Sequence, residues 1–514
     1  LNDEKVDINQ VLNLGKTPFW IACQSGLIEI VKLLLDNEKV DTNKPTIDGI
    51  TPFYIACNKG QIDIVKLLLN DQRVDINKTD KGEQTPFFMA CYWGQIEIVK
   101  LLLNERVDVN KGNQYLKTPF WIACREGHID IVKLLLSDER IDINKANNND
   151  VTPFHIAIIK GHIEIVKLLL SDDRVDVNKP NKDGYTPFSV ACSCGRIEMV
   201  KLLLNDQRID INKEANEDGD TPFFIASKNG HIEIVKLLLN DTRVDMNKAN
   251  NRDWTPTYIA CDYGHIDIVR LLLNDEREIN INKANKYGWT LFYRACQNGQ
   301  IEIVKLLLND NRIDINKANK YDETPFYIAC ENGHIEIVKL LLNDTRVDIN
   351  KANNRDWTPT YIACQNGQIE IVKLLLNDER VDINKREKIN GFSPLHCICK
   401  SNHFEIVQLI LAMRREINLN IKDNSGKTSI DIAREKENEG IIFWESEEKF
   451  QERKINCAKI IELLESFERN PIETRTKLRI QLGFTGNSFF LKKKFLNFSK
   501  IFIFQDKDSV SIFS

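Results

Sequence analysis

The stretch Thr17-Pro18-Phe19-Trp20-Ile21-Ala22-Cys23-Gln24-Ser25-Gly26-Leu27-Ile28-Glu29-Ile30-Val31-Lys32-Leu33-Leu34-Leu35 decides how this chain folds. The Thr17 hydroxyl can accept from the first N–H groups of a helix, and Pro18 follows where its missing N–H costs nothing. The pattern therefore predicts a short helix from Pro18 to about Gly26. A second helix is predicted over Leu27 to Leu35, with Glu29 in its first turn, where the helix dipole favours an anion. Its apolar run is too continuous for a surface helix, so it is expected to lie sandwiched between neighbours. Asp36 to Asn43 and the turn at Asp48-Gly49 suit a hairpin-like loop that returns to Thr51. Helices this short do not persist alone in water, so stacking must stabilise them.

The same phrase opens at Thr17, Thr51, Thr85, Thr118, Thr152, Thr186, Thr221, Thr255, Thr290, Thr324, Thr358, Ser393 and Thr428, always 33 to 35 residues apart. A period of this length marks a stacked array, in which each unit buries its apolar face against its neighbours. Length alone suggests three or four globular domains, but repetition overrides that prior. Function becomes a question about surfaces.

The pattern Gly-x-Thr-Pro, then Ala, then Gly-His and Ile-Val-x-Leu-Leu-Leu followed by Asp-Val-Asn resembles the ankyrin repeat. It is clear at Asp183-Gly184-Tyr185-Thr186-Pro187-Phe188 with Ala191, and at Gly230-His231-Ile232-Glu233-Ile234-Val235-Lys236-Leu237-Leu238-Leu239. The resemblance implies an all-α solenoid with β-hairpin-like loops, curved and elongated. It covers residues 13–466, as twelve full units and a divergent, charged last one suited to a solvent-facing cap. Residues 1–12 read as the remnant of a preceding unit. Residues 467–514 read as a basic, Phe-rich tail, expected to be poorly ordered. Where the family carries Leu-His after Thr-Pro, most units here carry Phe and then an aromatic, as at Trp20, Tyr54, Phe88, Trp121 and Tyr327, while His155 and His396 keep the family residue. A longer Asn-Asp-x-Arg-Val-Asp-Ile-Asn segment after helix two accounts for units of 34 residues. Leu291 replaces the proline of one unit and Thr257 the phenylalanine of another, neither of which should break the stack.

Of 13 cysteines, ten recur at one helix-one position: Cys23, Cys57, Cys91, Cys124, Cys192, Cys261, Cys296, Cys330, Cys364 and Cys399. One stacking step exceeds the ~7 Å Cα separation that a disulfide tolerates, so they read as small buried apolar residues. So many free thiols point to a reducing, cytoplasmic setting. No signal peptide or apolar run of about 18 residues is present. Leu1 to Asn9 reads like the end of an earlier unit, so the chain is expected to be a fragment of a longer protein. The formal charge of −5 conceals an asymmetry: residues 469–514 carry nine Lys and Arg against three acids, which leaves −11 on the remainder. An acidic array argues against nucleic acid as a partner.

No motif calls for a cofactor, a metal or a catalytic residue, and the chain reads as a non-enzyme. Gly15-Lys16-Thr17 and Gly426-Lys427-Thr428 end like phosphate-binding loops but lack the required earlier glycine, having Gln10 and Ile421 instead. His128, His162, His231, His265, His334 and His403 share a position that elsewhere holds Leu27, Gln61 or Arg196, which no metal ligand would tolerate. His396, Cys399 and His403 share a helical face at zinc-like spacing, yet two of them are repeat-framework residues.

Residues constant between units serve the stack, and those that vary are free to meet a partner. In ankyrin-like proteins the variable turn before each Thr and the end of helix one form the fingers and palm of the concave face. Carried onto this sequence, the fingertips are Tyr115, Lys182, Tyr185, Arg252, Trp254, Tyr287, Trp289, Tyr321, Arg355 and Trp357. The palm includes Tyr92, Trp93, Arg125, Asp262 and Tyr263. Trp, Tyr and Arg are the types that most often dominate protein interfaces, although an aromatic before Thr can also serve only to pack on its neighbour. The Arg252 to Trp357 stretch is the densest. Asn251 to Cys261 recurs as Asn354 to Cys364 with one sequence, as if a three-unit block had been copied. The resemblance also marks loop residues such as Asn144, Asn178 and Asn316 as positions that can be hydroxylated, against a structural use in the turn.

The reading is a monomeric scaffold or adaptor for other proteins. The alternatives are a recruiting segment of a larger regulatory or catalytic protein, and a membrane-peripheral adaptor acting through residues 469–514, where basic residues interleave with phenylalanines.

Overall fold

Each first helix starts where its threonine caps it. Thr17 Oγ1 accepts the Trp20 N–H at 3.1 Å, Pro18 occupies the first turn, and Gly26 ends Pro18–Ser25 in the left-handed conformation. The same cap is made by Thr51 for Pro52–Lys59 and by Thr324 for Pro325–Glu331. Thr290 caps Leu291–Gln297 without a proline, so the leucine there is accommodated. The computed structural model describes residues 7–484 except 276, 278, 414 and 442–444, and among these residues the fold is all-α, with one isolated β-bridge between Ala215 and Asp220. The chain divides into two units, Leu1–Ile279 and Asn280–Ser514.

In the first unit, consecutive first helices stack on one another and each second helix packs against its own first helix. Phe53, Tyr54, Ile55, Ala56 and Cys57 are all buried, whereas the second helix Ile62–Leu69 buries only Ile64, Val65 and Leu68. Burial of each such phenylalanine stabilises the stack by roughly 2 to 3 kcal/mol. The second helices are therefore not enclosed as their apolar run suggested. Leu67 and Leu69 are half-buried along an outer row, where Leu33 is exposed one repeat earlier, and Asp63 and Lys66 face water. The second unit repeats this plan: Phe326, Tyr327, Ile328, Ala329 and Cys330 are buried, and Ile337, Val338 and Leu341 form the buried stripe of Ile335–Leu342.

Three polar ladders tie repeats together. Loop asparagines use both ends of their amide: Asn144 Nδ2 donates to the Arg174 carbonyl at 2.7 Å and its Oδ1 accepts the Asp176 N–H at 2.9 Å. Asn178 in the first unit and Asn316 in the second do the same one repeat further on. Asn9 fills this place before Asn43. Arginines of the Asn-Asp-x-Arg segments reach the last carbonyl of the preceding second helix within each unit, as Arg73 does to Leu35 at 2.8 Å in the first and Arg346 to Leu308 at 2.9 Å in the second, and so explain the longer unit. Finally, several of the residues that follow a helix-one glycine return to the preceding repeat. His162 Nε2 donates to Arg125 O at 2.9 Å, and Gln61 and Arg196 make the equivalent bond to Gln24 and Ile159.

The last repeat consists of Ser429–Asn438 and the long helix Glu447–Arg469. The expected array boundary at 466 falls inside that helix. A further helix, Pro471–Gln481, packs on it and on Phe404–Ala412. Arg475 and Arg479 donate to the Leu411 and Ala412 carbonyls, each at 3.3 Å, so part of the basic segment caps the end of a repeat helix. The remainder of the Phe-rich tail, including Lys492 to Lys494, lies outside the described residues. Among the described residues no helix is long and apolar enough to cross a membrane.

Candidate functional site

Each finger is a turn organised by one side chain. In the second unit Asn285 Oδ1 accepts the N–H of Tyr287 at 2.9 Å and of Trp289 at 3.0 Å, and Asn353 does so for Arg355 and Trp357. An asparagine held this way supplies the turn's missing acceptor. The turn then sorts two residues of equal interface propensity: the one two places on projects as a tip, and the one four places on folds back onto helix one.

The first unit holds ten of the fifteen candidate residues, Arg125, Lys182 and Asp262 among them. Tyr115 is an exposed tip, with Lys117 Nζ lying 5.3 Å from its ring centre and 5.1 Å from that of Trp121. Arg252 lies over Trp254 at 5.4 Å and pairs with Asp218 at 2.8 Å, while Trp254 stacks on Tyr258 at 5.8 Å. Tyr92 and Trp93 meet edge to face at 4.9 Å at the end of Pro86–Tyr92, and Trp93 is 54% exposed. Tyr263 is 56% exposed and stacks on His265. Tyr185 is half-buried, and its carbonyl accepts from His155 Nε2 at 3.1 Å, so its role in the stack is plain.

The second unit holds the other five. Tyr287 and Tyr321 are exposed tips, the latter at 57%, and Arg355 is an exposed tip lying over Trp357 at 5.1 Å. Trp289 and Trp357 are half-buried bases stacked on helix-one tyrosines, Trp289 on Tyr293 at 6.4 Å and Trp357 on Tyr361 at 5.4 Å. Tyr287 contacts Trp289 at 4.9 Å. The fingers lie side by side: Lys320 N–H donates to Tyr287 O at 3.2 Å, and Asn354 N–H to Tyr321 O at 2.9 Å.

Sequence reading missed a polar group behind these tips. Glu323, the residue before Thr324, accepts from Asn319 Nδ2 at 2.7 Å and from the Tyr293 hydroxyl at 3.3 Å. Asn353 donates to the buried Tyr327 hydroxyl at 3.3 Å. Burial, and then the charge of Glu323, pushes the half-buried Glu331 carboxyl above its usual range. Comparing only the residue before each Thr would have flagged Glu323, which stands between Trp289 and Trp357 in successive repeats.

The framework groups have the chemistry of a core. Burial pushes the Cys23 thiol up to about 12 and Cys397 to about 11, away from nucleophilic use. His396 engages Ser393 and the Lys427 carbonyl, and His403 the Gln365 carbonyl, so these rings do not converge with Cys399. Among the described residues no group of His, Cys, Asp or Glu is arranged to hold a metal ion.

Comparison with curated proteins finds no match. A family model described as ankyrin repeats, three copies, matches residues 1–80, 72–147, 141–215, 209–285, 278–353, 314–387 and 362–443. Ankyrin repeats are in general protein-interaction modules, typically without catalysis of their own. The capped helix pairs, the left-handed glycines and the inter-repeat ladders are what that model's period encodes, and with matches running from residue 1 to residue 443 the chain belongs to the ankyrin repeat family.

Proposed function

We propose that this protein is a non-catalytic adaptor that binds partner proteins on its finger tips and the adjoining ends of its first helices. The observation that carries this reading is the division of labour within each finger. In the second unit Tyr287, Tyr321 and Arg355 stand in solvent on turns held by asparagine side chains, above bases held by stacking at Trp289 and Trp357 and by hydrogen bonds at Glu323. Rigid, exposed tyrosine and arginine contribute contact area at low entropic cost. Exposed aromatics repeated along one edge are costly to leave in water unless a partner covers them.

The tips are therefore the residues to change; the stacked tryptophans are not, because truncating a half-buried indole also perturbs the fold. A triple variant with Tyr287→Ala, Tyr321→Ala and Arg355→Ala should recover clearly less of its partners in quantitative affinity purification from its native cell. A control with Glu302→Ala, on the exposed face of helix Ile301–Leu308, should match the unaltered chain. Equal recovery by the triple variant and the control would overturn the assignment of the surface.

A further inference from the structure

Asn251 to Cys261 in the first unit and Asn354 to Cys364 in the second have the same sequence, and their fingers are built alike. The backbone N–H of Arg252 and that of Arg355 each donate to the turn asparagine, Asn250 or Asn353, at 3.0 Å. Each guanidinium lies over the tryptophan two places on, at 5.4 Å in the first and 5.1 Å in the second. Each finger also meets the one before it through the same backbone bond. Asn251 N–H donates to Asp218 O at 2.8 Å, and Asn354 N–H to Tyr321 O at 2.9 Å. Asp218 and Tyr321 therefore hold equivalent places beside two copies of one arginine.

Those places are filled differently. Asp218 Oδ1 accepts from Arg252 Nη2 at 2.8 Å, so the first copy carries its own carboxylate. Tyr321 brings no charge and is 57% exposed, and among the described residues no hydrogen bond or ion pair is made by the Arg355 guanidinium. Asp356, next along the chain, is already held by Lys388 at 3.0 Å. A guanidinium laid on a ring keeps its N–H donors along its edge, in the fork that matches a carboxylate. The stack on Trp357 also orders the side chain beforehand, which lowers the entropic cost of binding an anion.

We propose that the second unit recognises a segment of a partner protein through one aspartate or glutamate, whose carboxylate takes at Arg355 the place that Asp218 takes at Arg252. This rests on the finger surface being the protein-binding face. Trp357 supports the guanidinium from below, and the exposed Tyr321 tip beside it gives the segment an apolar contact next to the ion pair.

The test pans a display library of random peptides against the full chain and measures the selected peptides by fluorescence anisotropy. The expected result is a selected set that shares one Asp or Glu, binds about tenfold more weakly to Arg355→Gln, and loses affinity as salt rises. Replacing the shared acid by its amide should cost about tenfold against the unaltered chain and little against Arg355→Gln, because the two changes remove one interaction. Lys305→Gln, which removes the same charge from the outer face, should leave affinity unchanged, and matching melting curves for all variants would show that the fold is intact. Peptides that share no acid, that bind Arg355→Gln as well as the unaltered chain, or whose acid matters equally to both, overturn the carboxylate inference. If such peptides still lose binding on Tyr321→Ala, the finger surface stands without it. Binding indifferent to both substitutions, or no selected peptide at all, overturns the two together.

Discussion

Arg346 reaches back 38 residues to donate from Nη2 to the backbone carbonyl of Leu308 at 2.9 Å. Leu308 is the last residue of Ile301–Leu308, so the guanidinium meets the helix end where unpaired carbonyls and the dipole both favour a cation. Asp344 aims it by accepting from Nε at 3.0 Å and from Nη2 at 2.6 Å. Arg380 on Leu342 repeats this in the second unit, and Arg174 on Leu136 does so in the first. One side chain thus both closes its own loop and caps the helix of the repeat before it.

Removing that cap should loosen one repeat rather than the whole array, because neighbour coupling in a solenoid is local. Arg346 is substantially exposed, so Arg346→Ala is expected to cost about 1 kcal/mol after allowance for solvent screening. Amides of Ile301–Leu308 should then exchange about fivefold faster by hydrogen-exchange mass spectrometry. Arg346→Lys should rescue little, since an ammonium lacks the planar fork. Unchanged exchange in the alanine variant would remove the arginine from the account of stacking.

Two glycines separate backbone strain from crowding. Gly426 has φ 81° with open space around an added Cβ, whereas Gly299 has φ 73° and would place a Cβ 2.7 Å from Cε1 of His334. That ring cannot retreat without losing its bond to the Gln297 carbonyl at 2.9 Å. Gly426→Ala should cost about 1 kcal/mol and Gly299→Ala two or more. Comparable melting temperatures for the two variants would contradict the crowding argument.

Acid should weaken the protein in two windows. Burial lowers His155 from 6.5 to about 4, so as pH falls through that interval the unfolded chain takes up a proton that the native ring refuses, and stability declines by at most about 3 kcal/mol. Below it, the clamp carboxylates follow. Side-chain hydrogen bonding from Arg346 holds Asp344 under its ordinary 3.8, so its contribution is complete above that value and is lost as pH drops through the native one. His155→Gln should shrink the difference in melting temperature between about pH 7 and about pH 5 while leaving the later acid transition in place. An unchanged difference would mean that His155 is already charged in the native state.

Thiol chemistry should find one fast site. All 13 cysteines are thiols, and of these only Cys194 is exposed. Burial holds thiols such as Cys57 and Cys124 far above their ordinary range. Iodoacetamide should alkylate Cys194 rapidly and the others only on unfolding, and Cys194→Ser should abolish the fast phase. Rapid modification of several helix-one cysteines would show that the first-helix row opens.

The helix starts and stops were legible because their chemistry is local. Thr17 caps a residue three places on, Pro18 sits in the same turn, and Gly26 needs only its own φ. The framework roles of Cys57 and His162 followed from their recurrence. Other assignments depended on partners a full repeat away. Asn144 and Arg174 were visible only as loop residues, yet each bonds 30 or more positions distant. The continuous apolar run of the second helix misled for the same reason, since periodicity does not say which side a neighbouring repeat will cover.

By itself, then, the sequence determined the repeat, its helix boundaries and the family, all of which rest on interactions spanning a few residues or on period alone. Tertiary structure decided which aromatics remain available. Tyr287 and Trp289 are two residues apart and alike in interface propensity, but the turn held by Asn285 leaves one exposed and lays the other on Tyr293. It also decided that Glu323 is tied to Asn319 and to the Tyr293 hydroxyl a repeat away. Such outcomes depend on where stacked neighbours place their side chains, and distance along the chain does not encode that.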